Sequence, residues 1–288
     1  MKLKRFLGLI AATSLCVQAL TLQSPANAQS DPCPNPTTLT SVDGAGDATS
    51  FKSITGDGTC SGTPSSYGVT IYKMGLCTSD PSPAQGAAAD YSSCSISYED
   101  SAGSSVNFAA GTKLALSEAL SLNLEDGTYG YAVILLSKTF NIKAEYGPIA
   151  GKTYYSTSTS TGWPAQGNTV GPATVNPVSA NSFGQNCDSA DTLSIPAGTL
   201  TGILLNSSGE RIPEDTSIQA CSGVEYILGV VGLNSPVTIE KGTTLEALFT
   251  VTNSGTTLNI DNAPGGVPGI IFDAGPFNVT FNIIKSTD

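Results

Sequence analysis

The side chains of this 288-residue sequence that can do chemistry are its cysteines and carboxylates, because the chain contains no histidine. That absence removes the Ser-His-Asp and Cys-His nucleophile systems and the HExxH zinc sites. A G-x-S-x-G elbow, a Walker loop and a dinucleotide fingerprint are missing as well. Catalysis would fall to carboxylates, as in glycoside hydrolysis, which needs two Asp or Glu flanking a cleft. Glu99, Asp100, Glu118, Glu225 and Glu246 are the candidates. Most lie beside turns or alternate with apolar residues, the placement of charges on a solvated strand face. The expectation is a protein without catalytic residues, with carbohydrate binding or carboxylate-driven glycan hydrolysis as the alternative.

The cysteines need the N-terminus settled first. Residues 1–28 show the three zones of a secretory signal peptide: basic MKLKR, the apolar run FLGLIAATSLCVQAL, and Ala26-Asn27-Ala28 as the cleavage site. The run falls short of the roughly 20 residues that span a bilayer, so no membrane span is expected in the mature chain. Cys16 follows Leu15, where a lipobox needs a small residue, so it leaves with the signal. Six cysteines remain: Cys33, Cys60, Cys77, Cys94, Cys187 and Cys221. An even number in an exported chain reads as disulfides, although six allow 15 pairings. Cys77 and Cys94 fence a Ser/Ala/Pro/Gly loop between strand-like YGVTIYKMGLC and CSISYED, so a bridge between them closes the loop at its neck. The loop offers little to bury, and the disulfide is expected to hold it in place of burial. Proximity pairs Cys33 with Cys60 and Cys187 with Cys221. A metal site is not expected, since no C-x-x-C pair and no histidine is present.

Charge narrows the partners. Cleavage leaves 12 − 3 = 9 basic residues against 23 acidic, a net charge of −14, with Arg211 as the sole arginine. Such a surface repels phosphate backbones and anionic membranes, so nucleic acid is excluded as a partner. Only 12% of residues are charged, about half the usual share. Solvent-facing positions must be filled by Thr, Ser and Asn, and Thr suits the wet face of a strand.

The elements that would position these groups read as strands. Period-two alternation runs through Tyr67, Val69 and Ile71, through Ile96 and Tyr98, and through Val106 and Phe108. The leucine run Leu114, Leu116, Leu120, Leu122, Leu124 can be drawn as strand or helix, and its flanking Gly and Thr favour strand. GYAVILLSKTFNIKAEYG reads as two strands joined near Ser137-Lys138, and KTYYSTST closes the first half. Residues 156–184 are rich in Ser, Thr, Pro and Gly and mark a connecting segment. Alternation resumes in TLSIPAGTLTGILLN, SGVEYILGVVGL, SPVTIEKGTTLEALFTVTN and GIIFDAG. In PFNVTFNIIK it places Phe277, Val279, Phe281 and Ile283 on one face.

Strands every 8 to 15 residues with Gly, Pro and Asn punctuation are the mark of an all-β antiparallel sandwich or jelly roll. The expected plan is a signal peptide (1–28), an N-terminal sandwich domain (29–155), the connecting segment (156–184) and a C-terminal sandwich domain (185–288). Leu124, Gly127 and Tyr129 in L-E-D-G-T-Y resemble the L-x-x-G-x-Y hairpin of prealbumin-like (transthyretin-like) sandwich domains of bacterial surface proteins. The resemblance implies short antiparallel strands in a sandwich and nothing about ligands.

Two weaker ligand patterns complete the reading. Trp163 with Tyr154 and Tyr155 forms a potential glycan-stacking patch, set against a tryptophan that plugs a domain junction. Asp43, Asp47 and Asp57 lie in oxygen-rich loops that calcium can use, although Asp-Gly turns account for the same residues. No cofactor is expected otherwise. Together these point to a non-enzymatic, secreted bacterial protein of the cell surface, extracellular matrix, an appendage or the periplasm. Its expected partners are copies of itself, as a homo-oligomer or filament, or surface glycans.

Overall fold

The computed structural model describes residues 31–44, 46–56, 58–108, 114–115, 124–158, 171–184, 186–240, 243–261, 269–275 and 277–285. The signal peptide over 1–28, Asp57, Glu118, most of the leucine run and Trp163 lie outside the described residues.

The chain is all-β. Its strands are β1 (Thr59–Gly62), β2 (Ser66–Cys77), β3 (Cys94–Phe108), β4 (Leu114–Ala115), β5 (Gly127–Ser137), β6 (Thr139–Lys143), β7 (Glu145–Ile149) and β8 (Lys152–Tyr155). They continue with β9 (Asn176–Ser179), β10 (Ala190–Ile195), β11 (Gly198–Leu205), β12 (Tyr226–Ile239), β13 (Thr243–Thr250), β14 (Thr256–Asp261), β15 (Gly269–Ala274) and β16 (Asn278–Lys285). The helical content described is one turn, α1 (Phe51–Thr55), and a short 3-10 turn at Pro36–Thr38.

Every described ladder is antiparallel. β2 is the axis of an eight-stranded sheet. One of its edges pairs with β3, and the other pairs with β5 and then β6, which follow each other along it. The sequence break near Ser137-Lys138 is therefore a local interruption in one line and not a reversal. Beyond β5 lie β12, β11 and β10, and beyond β6 lies β9. Two smaller sheets, β1-β14-β15 and β16-β13-β4, and the β7-β8 hairpin complete the set.

Strands from both sides of 156–184 thus share sheets. β5 pairs with β12 from Gly127↔Ile239 to Ser137↔Tyr226, and β1 pairs with β14. The boundary expected at 156–184 does not part the hydrogen-bonded sheets, because edges left open by the first half are closed by strands of the second. Two strands also run longer than the alternation indicates. β3 continues from Cys94 to Phe108 across a register shift, and β12 passes through Ser235-Pro236 at a bulge between Gly232 and Val237. A bulge is where a strand tolerates proline, since the missing N–H breaks no ladder bond.

The large sheet is covered on both faces. On the inner face Tyr67, Ile71, Leu136, Ile142, Ile227 and Val231 pack with Cys60, Leu258, Ile270 and Phe272 of the β1-β14-β15 sheet. Full burial of a side chain such as Phe272 is worth about 1.5–3 kcal/mol. Aromatic contacts bind the second small sheet to the same core: Phe108 of β3 stacks on Phe249 of β13 at 5.3 Å, and Phe277 lies 5.5 Å from Phe249. On the outer face Val133, Ile203, Leu205, Leu228 and Val230 form a second cluster. Burial on both sides explains why YAVILL, GILL and YILGVVG are continuous apolar runs where half-buried strands alternate.

The three disulfides are Cys33–Cys60, Cys77–Cys94 and Cys187–Cys221, the pairs that proximity selects. The 77–94 loop corrects one expectation. It is fixed by burial as well as by its bridge: Pro81 and Pro83 are buried, and Ala89 and Tyr91 pack on the outer cluster. Its backbone also pairs with a distant segment, Gly86 N–H donating to Arg211 C=O at 2.9 Å and Arg211 N–H to Ala87 C=O at 2.8 Å. The loop is one of the covers of the sheet's outer face.

The L-E-D-G-T-Y segment has a specific geometry. Tyr129 is buried, and its hydroxyl donates to the Glu125 carbonyl at 2.8 Å. The ring lies over Gly127, where a Cβ would meet it at 3.2 Å. Glycine and tyrosine here form a corner at the entry to β5.

Candidate functional site

Three of the five carboxylates considered for catalysis have described side chains, and each has its own separate partner. Glu99 pairs with Lys73 at 2.9 Å, and Glu225 with Lys138 at 3.8 Å. Asp100 accepts from the Ala102 amide at 2.9 Å. The backbone of Glu246 lies in β13, while its side chain, like all of Glu118, lies outside what is described. Lys73 Nζ also sits 4.3 Å above the Tyr91 ring. Burial, with the Glu99 charge behind it, pushes the Tyr91 hydroxyl up to about 12. Tyr72 meets Tyr226 edge-on at 5.1 Å, and burial with Tyr226 and Glu225 nearby raises its hydroxyl too. These tyrosines and lysines hold strand faces and the 77–94 loop together.

Of the expected aromatic patch only the two tyrosines are described, Trp163 lying outside the described residues. Tyr154 is buried in the core, and its neighbour Tyr155 is half-buried against Gly171, so alternation along β8 sends the rings to opposite faces. Of the calcium candidates, Asp43 pairs with Lys52 at 3.4 Å. Asp47 accepts from Thr40 and Ser41 hydroxyls and from the Thr49 amide and hydroxyl, so both its oxygens are taken. The Thr40 hydroxyl, then Thr49 and Ser41, hold its carboxyl well below the usual range. Asp47 is the hub of a turn, and no cluster of three or more metal-ligating side chains occurs among the described residues.

What the strand pattern does not show is a cleft of about 540 Å³ between the inner face of the large sheet and the β1-β14-β15 sheet. Its floor comes from β5, β11 and β12 through Leu136, Leu200 and Ile227, and its walls from Val178, Phe183 and Phe277. Phe183 lies across Gly202, where a Cβ would come within 3.0 Å of its ring. Two acidic residues line this apolar space: Asp191 on β10 and Asp273 on β15. Burial pushes the Asp273 carboxyl above its ordinary value, against the hydrogen bond it accepts from the Ala274 amide at 2.7 Å. Among the described residues Asp273 has no ion-pair partner, and no Lys or Arg lines the cleft. Its one sequence signal is an aspartate inside the apolar strand GIIFDAG, where Asp is disfavoured.

The sheet edges form the other exposed feature. β3 pairs with β2 alone among the described residues, and this edge is blunted by Glu99, Asp100 and the register shift that contains Gly103. β16 pairs with β13 alone among the described residues, and its eight residues hold no proline and no charge before Lys285. No described helix is long and apolar enough to cross a membrane. Comparison with protein-family models, with curated proteins and with solved structures found no match for this chain.

Proposed function

We propose that this is an exported, non-catalytic structural or adhesive protein, a surface, matrix or appendage subunit whose copies associate through the open edge of β16. The observation that carries the reading is the contrast between edges. The long edge β3 carries charges and a bulge that discourage pairing, whereas β16, uncharged before Lys285, is hydrogen-bonded on one side only among the described residues. Three disulfides add support, since such bonds persist in oxidising compartments outside the cytoplasm. The engaged carboxylates fit a protein that does no chemistry.

Sedimentation of the mature protein across a concentration series tests this, with proline placed separately at Val279 and Thr280. Along a strand successive N–H groups point to opposite sides, so one of these prolines breaks the β13 ladder and the other strips a donor from the open edge. The expected result is reversible self-association that the second variant abolishes while its melting curve persists. A monomer at every concentration overturns the reading, and glycan binding by that monomer would favour the carbohydrate-binding alternative.

A further inference from the structure

We infer that the cleft between the two sheets is a binding site for an uncharged amphiphile, an alcohol whose apolar body lies on Leu136, Leu200 and Ile227 and whose hydroxyl meets Ser61, Thr257 and Asp273. The site is independent of the β16 edge, and three observations carry it.

The first is size and lining. A cleft of about 540 Å³ falls within the roughly 300–1,000 Å³ typical of small-molecule sites, which combine apolar walls with a few placed polar groups. Val178, Phe183 and Leu200 are only partly buried though they pack on the core, so apolar surface is left in the cleft for a ligand to cover.

The second is a polar row on the β1-β14-β15 sheet. Ser61 of β1 lies directly opposite Thr257 of β14, and Thr257 directly opposite Asp273 of β15. Cross-strand partners share a face, and all three residues line the cleft. Three other hydroxyls there are spent on the protein. Tyr67 donates to the Gly275 carbonyl at 3.0 Å, Ser179 pairs with Thr139 at 2.9 Å, and Ser182 donates to the Asn186 carbonyl. Asp191 accepts from the Thr192 amide at 2.8 Å and lies on β10 of the large sheet, outside the row. Among the described residues the Thr257 hydroxyl takes no hydrogen bond, and Asp273 accepts from the Ala274 amide through only one of its carboxyl oxygens. The row therefore keeps hydrogen-bonding capacity that suits a ligand hydroxyl, which is donor and acceptor at once.

The third is charge. Among the described residues no Lys or Arg lines the cleft, so an anionic head group would be buried without a partner, at a cost far above that of a hydroxyl. Burial pushes the Asp273 carboxyl above its ordinary value and so favours its neutral form. A cation would have to hold Asp273 ionised against that burial. An alcohol meets the same groups with no ion taken out of water, and the neutral carboxyl can donate to it as well as accept.

Calorimetric titration of the mature protein with octan-1-ol, octanoate and octylammonium tests the inference without any variant. Octan-1-ol is expected to bind at least about tenfold tighter than either ion, the margin left when an ion must shed water without a partner. Thr257→Val keeps the shape of the side chain and removes its hydroxyl, so it should weaken octan-1-ol by about three- to tenfold in a protein that stays folded. Leu200→Trp, which fills the cleft from a partly buried position, should abolish the binding. No saturable binding of octan-1-ol at millimolar concentration, an equal or tighter complex with octanoate or octylammonium, or an octan-1-ol affinity unchanged in either folded variant each overturns the assignment.

Discussion

Removing the Cys77–Cys94 bridge separates what the disulfide contributes from what the packing of its loop contributes. In the loop-closure model, sequence separations of 17, 27 and 34 residues for Cys77–Cys94, Cys33–Cys60 and Cys187–Cys221 correspond to roughly 3.1, 3.6 and 3.8 kcal/mol at 25 °C. Cys77 is fully buried in the outer cluster, so losing its sulfur adds about 0.8 kcal/mol, the value of one buried methylene. Cys77→Ala/Cys94→Ala should therefore lose about 4 kcal/mol in guanidinium unfolding followed by circular dichroism, with a denaturant slope equal to or above that of the parent, since the unfolded chain without the bridge is less compact. The loop itself should stay docked in the native state. Pro81 and Pro83 remain buried, Tyr91 still packs on the outer cluster, and the bonds between Gly86, Ala87 and Arg211 do not depend on the bridge. Hydrogen exchange should accordingly show the Arg211 amide still protected once the change in global stability is subtracted. A loss below about 2 kcal/mol would refute the entropic account. Full exchange of Arg211 in the folded variant would show that the bridge, and not burial, holds the loop.

Two further outcomes follow from buried tyrosines. Tyr129→Phe removes the hydroxyl bonded to the Glu125 carbonyl and should cost about 1 kcal/mol in the same unfolding assay; no loss would mean that the L-E-D-G-T-Y corner is held by ring packing alone. For alkaline stability, Tyr91 is raised to about 12 in the folded protein against about 10 unfolded. Its contribution is complete below pH 10 and disappears as pH rises towards 12. Buried Tyr67 and Tyr146, also raised by burial, act in the same direction. Tyr91→Phe should then move the alkaline loss of circular dichroism to higher pH, and an unchanged alkaline transition in that folded variant would contradict the linkage.

Local features were legible wherever the chain's own neighbours decide the outcome. Alternation through Tyr67, Val69 and Ile71 identifies a strand because side chains on opposite faces repeat every second residue. The cysteine pairs follow from proximity, since short loops are the ones that elements adjacent in the chain close. Even the interruption at Lys138 was visible in SKT. Tertiary structure alone decided which strand lies beside which. A period of two states that a face is buried but not what buries it, so the ladder joining β5 to β12 across the Ser/Thr/Pro/Gly-rich segment could not be read from either strand. The same limit hid the docking of the 77–94 loop on Arg211, where backbone groups with no sequence signature do the pairing. It hid the cleft too: Asp191 and Asp273 lie 82 positions apart in the chain, and only the gap between two packed sheets brings both to one apolar space.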